Sequence, residues 1–275
     1  MATRTLVDLI VLGALWGASF LFMRVAVPEF GPIPLIAVRV TIAAVILLPI
    51  LLRAQGVSPL RGVLGPLALV GATSTAIPFT LFAFAALSLP AGLSSVLNAS
   101  VPLFGALVGF LWLRQSPTRL RLLGLAVGFS GVLALAWPRL SAGADWLAIA
   151  AALTAAMLYA VFPHITQRSL AGVSPFVVAT GSQTAAALML LPLVAFTWPD
   201  VAPTWRAWGY ALLLGSVCTA LAYVMYFRLI ARAGPATAMT VTYLIPVFGV
   251  TWGALLVLGG VALATWTPAR PAALR

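Results

Sequence analysis

The chain has 275 residues, 63% of them hydrophobic and 7% charged, with a formal net charge of +11. A composition so poor in charge leaves too little polar surface to cover a soluble core, which excludes an ordinary soluble domain and puts the chain in lipid. The positive charge does not point to nucleic acid, because the arginines lie singly or in twos and threes between apolar runs, with no basic face interleaved with aromatics.

A membrane span needs about 20 apolar residues to cross roughly 30 Å of hydrocarbon, so about ten fit this length. Apolar runs between polar or Pro/Gly punctuation predict spans near Leu6 to Val27, Pro34 to Leu52, Val63 to Leu87, Ala91 to Leu113 and Leu120 to Trp137. The first comes after Arg4 but is too long, and too poor in a small-residue cleavage site, for a signal peptide. A second set lies at Trp146 to Gln167, Phe176 to Phe196, Trp205 to Leu229, Pro235 to Gly253 and a shortened stretch from Ala254 to Trp266. Connections are short, so neighbouring helices run antiparallel and no soluble domain is inserted.

Loops that stay in the cytoplasm carry the arginines. With the N-terminus inside, the inner segments hold Arg4, Arg53, Arg61, Arg114, Arg119, Arg121, Arg168, Arg228, Arg232, Arg270 and Arg275. The outer side holds only Arg24, Arg139 and Arg206, together with Glu29, Asp145 and Asp200. This bias predicts a cytoplasmic N-terminus and an even number of crossings.

An internal repeat underlies the pattern. Val101-Pro102-Leu103-Phe104-Gly105 is answered by Ile245-Pro246-Val247-Phe248-Gly249, and Gly71, Pro90-Ala91 and Gly109 by Gly215, Gly234-Pro235 and Gly253. Further on, Gly131-Val132 and Trp137 are answered by Gly260-Val261 and Trp266 at a shorter offset, so about 15 residues are missing from the second half. The units are residues 1–140 and 141–275. Five spans is an odd number, so the second copy enters the membrane from the opposite face. The expected fold is therefore all-α, about ten transmembrane helices in two inverted five-helix repeats with the last helix shortened. In transporters such repeats set a substrate site near the midplane between halves; duplication alone also makes a stable helical bundle.

Taken with that repeat, the Leu15-Trp16-Gly17-Ala18-Ser19-Phe20 opening, Arg39 in the second span, the Pro102 segment and the Gly124 to Gly131 stretch resemble the EamA-type branch of the drug/metabolite transporter superfamily. The resemblance covers essentially the whole chain. It implies movement of amino acids, other small metabolites or drugs across the membrane. A Leu-Gly-Glu type sequence usual at the end of the fourth and ninth helices is here Leu113-Arg114-Gln115, and its second copy is lost in the deletion. As one helix, Pro235 to Trp266 would run roughly 48 Å, too long for one span and too short for two. Either the ninth helix continues, steeply tilted, or Gly259 and Gly260 turn the chain into a short tenth segment.

Arg39 is the sharpest candidate binding residue, because a charge inside an apolar helix is costly. Two readings fit it: it receives a substrate carboxylate, or it lies about 8 Å from the outer end of its helix and snorkels outward to Glu29. Its counterpart falls near Ser182, which makes the charge unsymmetrical. Polar side chains gather on Ser19, Thr73 to Thr75 and Ser94 to Ser100, and in the other half on Tyr159, Ser182, Gln183 and Thr237 to Tyr243. Small hydroxyl residues also serve helix packing, whereas Asn98, Gln183 and Tyr243 carry larger groups that need partners. Asn98 and Thr242 stand at equivalent places, four residues before Pro102 and Pro246, which kink their helices and are candidate gating points. Trp16 is a candidate pathway aromatic.

No enzyme constellation, metal set or phosphate-binding loop is present; Cys218 is the single cysteine and His164 the single histidine, so no cofactor or metal is expected. Asp8, Glu29, Asp145 and Asp200 all fall near span ends, which removes the usual intramembrane proton carrier. The expected function is an alternating-access transporter of small metabolites, an exporter, with the lipid bilayer and a small molecule as its partners. The alternative is a non-transporting scaffold or an inactive transporter remnant. Lysine is absent while alanine and arginine abound, a GC-rich bacterial bias that points to a bacterial inner membrane.

Overall fold

The computed structural model describes residues 3–112 and 145–265, with isolated positions between 114 and 137 and side chains as far as Leu255. Every element among the described residues is helical. This is what hydrocarbon requires of a chain whose backbone has no water to bond.

The helices α1 (Thr3–Phe30) and α2 (Pro32–Gln55) are separated only by Gly31, whose φ of 77° supplies the left-handed corner that a side chain would strain. After a 3-10 turn, the third span comprises α3 (Leu64–Gly71), a π-helical turn (Ala72–Ala76) and α4 (Ile77–Ser88). The fourth comprises α5 (Ala91–Asn98) and α6 (Val101–Leu111). In the second half α7 (Trp146–Ser169) begins at Asp145, whose carboxylate accepts from the backbone N–H of Leu147 and Ala148 at 3.0 and 3.2 Å. Then come α8 (Pro175–Thr197), α9 (Trp205–Gly215), a π-helical turn (Ser216–Leu221), α10 (Ala222–Met239) and α11 (Val241–Thr265).

Among the described residues, seven helical stretches are long and apolar enough to cross a membrane, and Val241–Leu255 is a shorter apolar one. They correspond to the expected spans one to four and six to eight, and α10 breaks at Gly234 (φ 80°) where the sequence separates the eighth span from the ninth. The ninth region does not turn at Gly259 and Gly260: α11 runs unbroken through both. A separate tenth helix is thus absent among the described residues, since α11 continues through the expected turn. The expected fifth span, Leu113, Gln115, Arg119, Arg121, Arg139 and the tail from Trp266 with Arg270 and Arg275 lie outside the described residues, wholly or, for the fifth span, in most positions.

The two halves interleave. The first helix, α1, packs against α9, α10 and α11, while α7 packs against α4, α5 and α6. Close approach depends on glycine: a Cβ on Gly13 or Gly17 would lie 2.7 Å from Leu244 or Phe248 of α11. Gly71 abuts Ser182 and Ala186 of α8, and its repeat mate Gly215 abuts Arg39 and Ile42 of α2. The crossed pair α2 and α8 forms the most extensive helix contact among the described residues.

Side chains fasten helix ends to one another. Arg232, beside Gly234, pairs with Asp8 at the start of α1. At the far end of α1, Arg24 donates to the carbonyls of Ala86 and Leu87, and Glu29 accepts from Thr204 N–H and hydroxyl. Ser88 in turn donates to Asp145 at 2.9 Å. Glu29 is therefore engaged with the cap of α9, and the outward snorkelling of Arg39 towards it does not occur.

Candidate functional site

A cavity lies where the two halves meet. Its walls are largely aromatic, formed by Trp16 and Phe20 of α1, Phe79 and Phe82 of α4, Tyr159 and Phe162 of α7, and Tyr223 and Tyr226 of α10. Phe20 meets Phe82 edge-on with ring centroids 5.2 Å apart, Phe82 stacks on Tyr159 at 5.8 Å, and Trp16 lies 4.9 Å from Tyr226. Polar groups are few: Ser19, Arg39, Asn98 and Thr242, with the tyrosine hydroxyls.

Lining positions come in repeat-related pairs. A shift of 144 residues carries Phe79 onto Tyr223, Phe82 onto Tyr226, Asn98 onto Thr242 and Val101 onto Ile245, and all eight line the cavity. The same shift carries Thr75 onto Thr219, each inside the π-helical turn of its half. A π turn inserts one residue into a helix and rotates the turns beyond it, a feature frequent at functional sites.

Arg39 is 2% exposed, yet no carboxylate meets it among the described residues. Its Nε donates to Thr219 Oγ1 at 2.7 Å, and its guanidinium carbon sits 3.7 Å from the centroid of Phe79. Thr219 is in turn held by donating to the Leu214 carbonyl at 2.7 Å. Among the described residues the terminal guanidinium nitrogens have no acceptor. Taking an ion out of water costs several kcal/mol, more than one hydroxyl and one ring face offset. Across the cavity, Asn98 Oδ1 is also buried without a hydrogen-bond partner among the described residues.

Of the residues singled out in the sequence, Trp16, Arg39 and Asn98 come together on the cavity wall. Trp16 is fixed by its indole N–H, which donates to the Cys218 carbonyl at 3.1 Å. Gln183 is fully buried beside the cavity and donates to Thr75 at 3.1 Å. Tyr243 is 50% exposed and lies off the lining, where its neighbour Thr242 faces in. Pro102 comes just after a break between α5 and α6 in which Ser100 bonds back to Leu97, and Pro246 lies within α11, nearly two turns beyond a similar break at Thr240. Apart from Trp16 and Tyr159, the aromatic walls escaped the sequence reading. The repeat offset, applied to aromatic residues instead of to glycine and proline alone, would have picked out Phe79, Phe82, Tyr223 and Tyr226.

The model of the EamA-like transporter family matches residues 5–137 and again residues 146–267. The chain belongs to this family. Among similar proteins, a probable terminal-alkyne amino-acid exporter of Streptantibioticus cattleyicolor is 29% identical over 241 residues, covering 84% of this chain and 78% of that one. The uncharacterized inner membrane transporter YedA of Escherichia coli K12 is 28% identical over 251 residues, 89% of this chain and 80% of that one. A solved crystal structure superposes with a TM-score of 0.69 at 22% identity, over 96% of this chain and 97% of that one, which supports the fold alone. As an EamA-like chain, the molecule is a multi-pass membrane transporter, and its opening motif has a physical reading: Trp16, Ser19 and Phe20 face the cavity while Gly17 admits α11.

Proposed function

We propose that this transporter moves small carboxylate-bearing metabolites, of the class of amino acids and related compounds or drugs, out of the cell across a bacterial inner membrane by alternating access. The observation that carries the reading is Arg39, a guanidinium held without a counter-ion in an aromatic cavity between the halves. A substrate carboxylate supplies what the protein withholds. Trp16 and Asn98 complete the contact, with the aromatic walls taking the apolar part of the ligand. The relative named as an amino-acid exporter supports the same substrate class and direction.

Two units, residues 1–140 and 141–275, of inverted topology are the basis of the mechanism. The contacts at the helix ends support it: α1 starts on the side where Asp8 meets Arg232, and α7 starts on the side where Asp145 meets Ser88. Repeat-related residues facing one another across the cavity let the halves exchange conformations and open it to either side. The breaks before Pro102 and Pro246 are the hinges. The arginine bias supports a cytoplasmic N-terminus.

Substrate flux into and out of proteoliposomes tests this. Counterflow of a carboxylate-bearing amino-acid analogue is expected, with loss in Arg39→Ala. Properly folded protein giving no flux for any small metabolite would favour the scaffold or remnant reading, which rests on the loss of about 15 residues from the second half.

A further inference from the structure

We infer that the cavity selects a substrate of net charge −1, an amphipathic organic monoanion with an aromatic or large apolar group, over a zwitterion or a cation, and that each transport cycle therefore moves one negative charge. The inference rests on the transporter reading above and narrows its substrate class, from amino acids at large to carboxylates whose nitrogen, if any, is uncharged. Its ground is a count of charges. All four acidic residues of the chain are Asp8, Glu29, Asp145 and Asp200; three are engaged at helix ends, Asp200 lies exposed between α8 and α9, and none lines the cavity. Arg39 is the one charged residue in the lining among the described residues.

A monoanion bound there brings the cavity to neutrality, so the loaded, closed form crosses its midpoint with no net charge in low dielectric. A zwitterion leaves the site at +1, with its ammonium near a guanidinium and no carboxylate to meet. A cation raises the charge to +2. The face of Phe79 is already taken by Arg39, and a cation on any of the other seven rings still meets the repulsion of that guanidinium with no carboxylate to offset it. Asn98 Oδ1, buried and unpartnered among the described residues, suits a neutral N–H or O–H donor on the same ligand.

The coupling follows from the same count. Protein charges return to their places after each cycle, so the net charge transferred is the substrate's own. No carboxylate in the cavity can carry a proton back. An interior-negative potential then drives the anion outward, and 100 mV corresponds to an equilibrium efflux ratio of about 50.

The test uses three ligands that share one aromatic ring: N-acetylphenylalanine (−1), phenylalanine (zwitterion) and phenethylamine (+1). Calorimetric titration of the full chain in nanodiscs is expected to show the anion binding at least tenfold more tightly than phenylalanine. Efflux of the anion from proteoliposomes should rise when valinomycin and a potassium gradient set the interior negative, and a pH gradient alone should leave it unchanged. Arg39→Gln should erase the preference, and Arg39→Lys should keep it. Phenylalanine bound as tightly as the anion, or efflux indifferent to potential, overturns the inference and leaves the transporter reading standing. Preferential anion binding with no flux of any of the three removes the transporter reading and keeps the anion site. No binding and no flux removes both.

Discussion

Arg39 and Gln183 occupy equivalent positions in the two halves, and each donates across the interface to a threonine of the other, Arg39 to Thr219 at 2.7 Å and Gln183 to Thr75 at 3.1 Å. The threonines are themselves equivalent and sit in matching π turns. Two crossed clasps of the same design thus tie α2 to the second half and α8 to the first. They differ in charge, and that difference is where the otherwise paired cavity becomes polarised.

A buried ion without a counter-ion is a cost to stability, which the proposed carboxylate site would account for. Arg39→Leu is expected to stabilise the protein by about 1–3 kcal/mol while abolishing substrate-dependent flux. The Thr219 hydroxyl is not orphaned by the change, because it still donates to the Leu214 carbonyl. Thermal unfolding in detergent reads the first effect; a lower midpoint would mean that Arg39 is held by interactions stronger than the hydroxyl and the ring.

The crossing of α3 with α8 has no room for a methyl group, since a Cβ on Gly71 would lie 2.5 Å from the Ser182 carbonyl oxygen. Gly71→Ala should therefore cost about 1–3 kcal/mol through forced backbone separation. Gly209, also helical, has nothing within 4 Å of its added Cβ, and Gly209→Ala should leave the unfolding midpoint unchanged or slightly higher. Equal effects at the two positions would contradict the close approach.

Hydrogen bonds from Ser88 and from the Ala148 and Leu147 backbone hold the Asp145 carboxyl below its ordinary value of 3.8. A group whose pKa is lowered on folding contributes fully above its unfolded value and loses that contribution as pH falls through the folded one. The stabilising share of Asp145 should thus be constant at neutral pH and fade below about pH 4. Comparing the wild type with Asp145→Asn across that range checks the sign: the gap between them should narrow on acidification.

With Cys218 replaced by alanine, single cysteines report orientation, since Arg168 and Asp200 are both exposed at opposite ends of α7 and α8. An impermeant thiol reagent added to intact cells should label Asp200→Cys, and Arg168→Cys only after permeabilisation. The reverse pattern would place the N-terminus outside and invert the direction of every transport step proposed above.

Much of the architecture was legible in the chain because lipid imposes a simple rule, helices of set length with charges at their ends. Seven predicted spans have helical counterparts, and the break at Gly234 falls where glycine and proline meet. The ninth region was legible only as a pair of alternatives. Composition could not tell whether Gly259 and Gly260 would end a helix, because glycine in a membrane helix serves packing as readily as turning.

The site divides along the same line. Sequence alone determined that Arg39 and Asn98 were anomalous in apolar helices, since the cost of a polar group in hydrocarbon is a local property of its span. Only the tertiary structure decided what they face. The partner of Arg39 lies 180 residues away in Thr219, and the aromatic walls are drawn from four helices. An aromatic side chain in a membrane helix costs nothing wherever it points, so no penalty in the sequence marks the ones that line a cavity. Interhelical packing, set by glycine contacts such as Gly71 on Ser182 and Gly215 on Arg39, chooses among faces that hydropathy leaves equivalent.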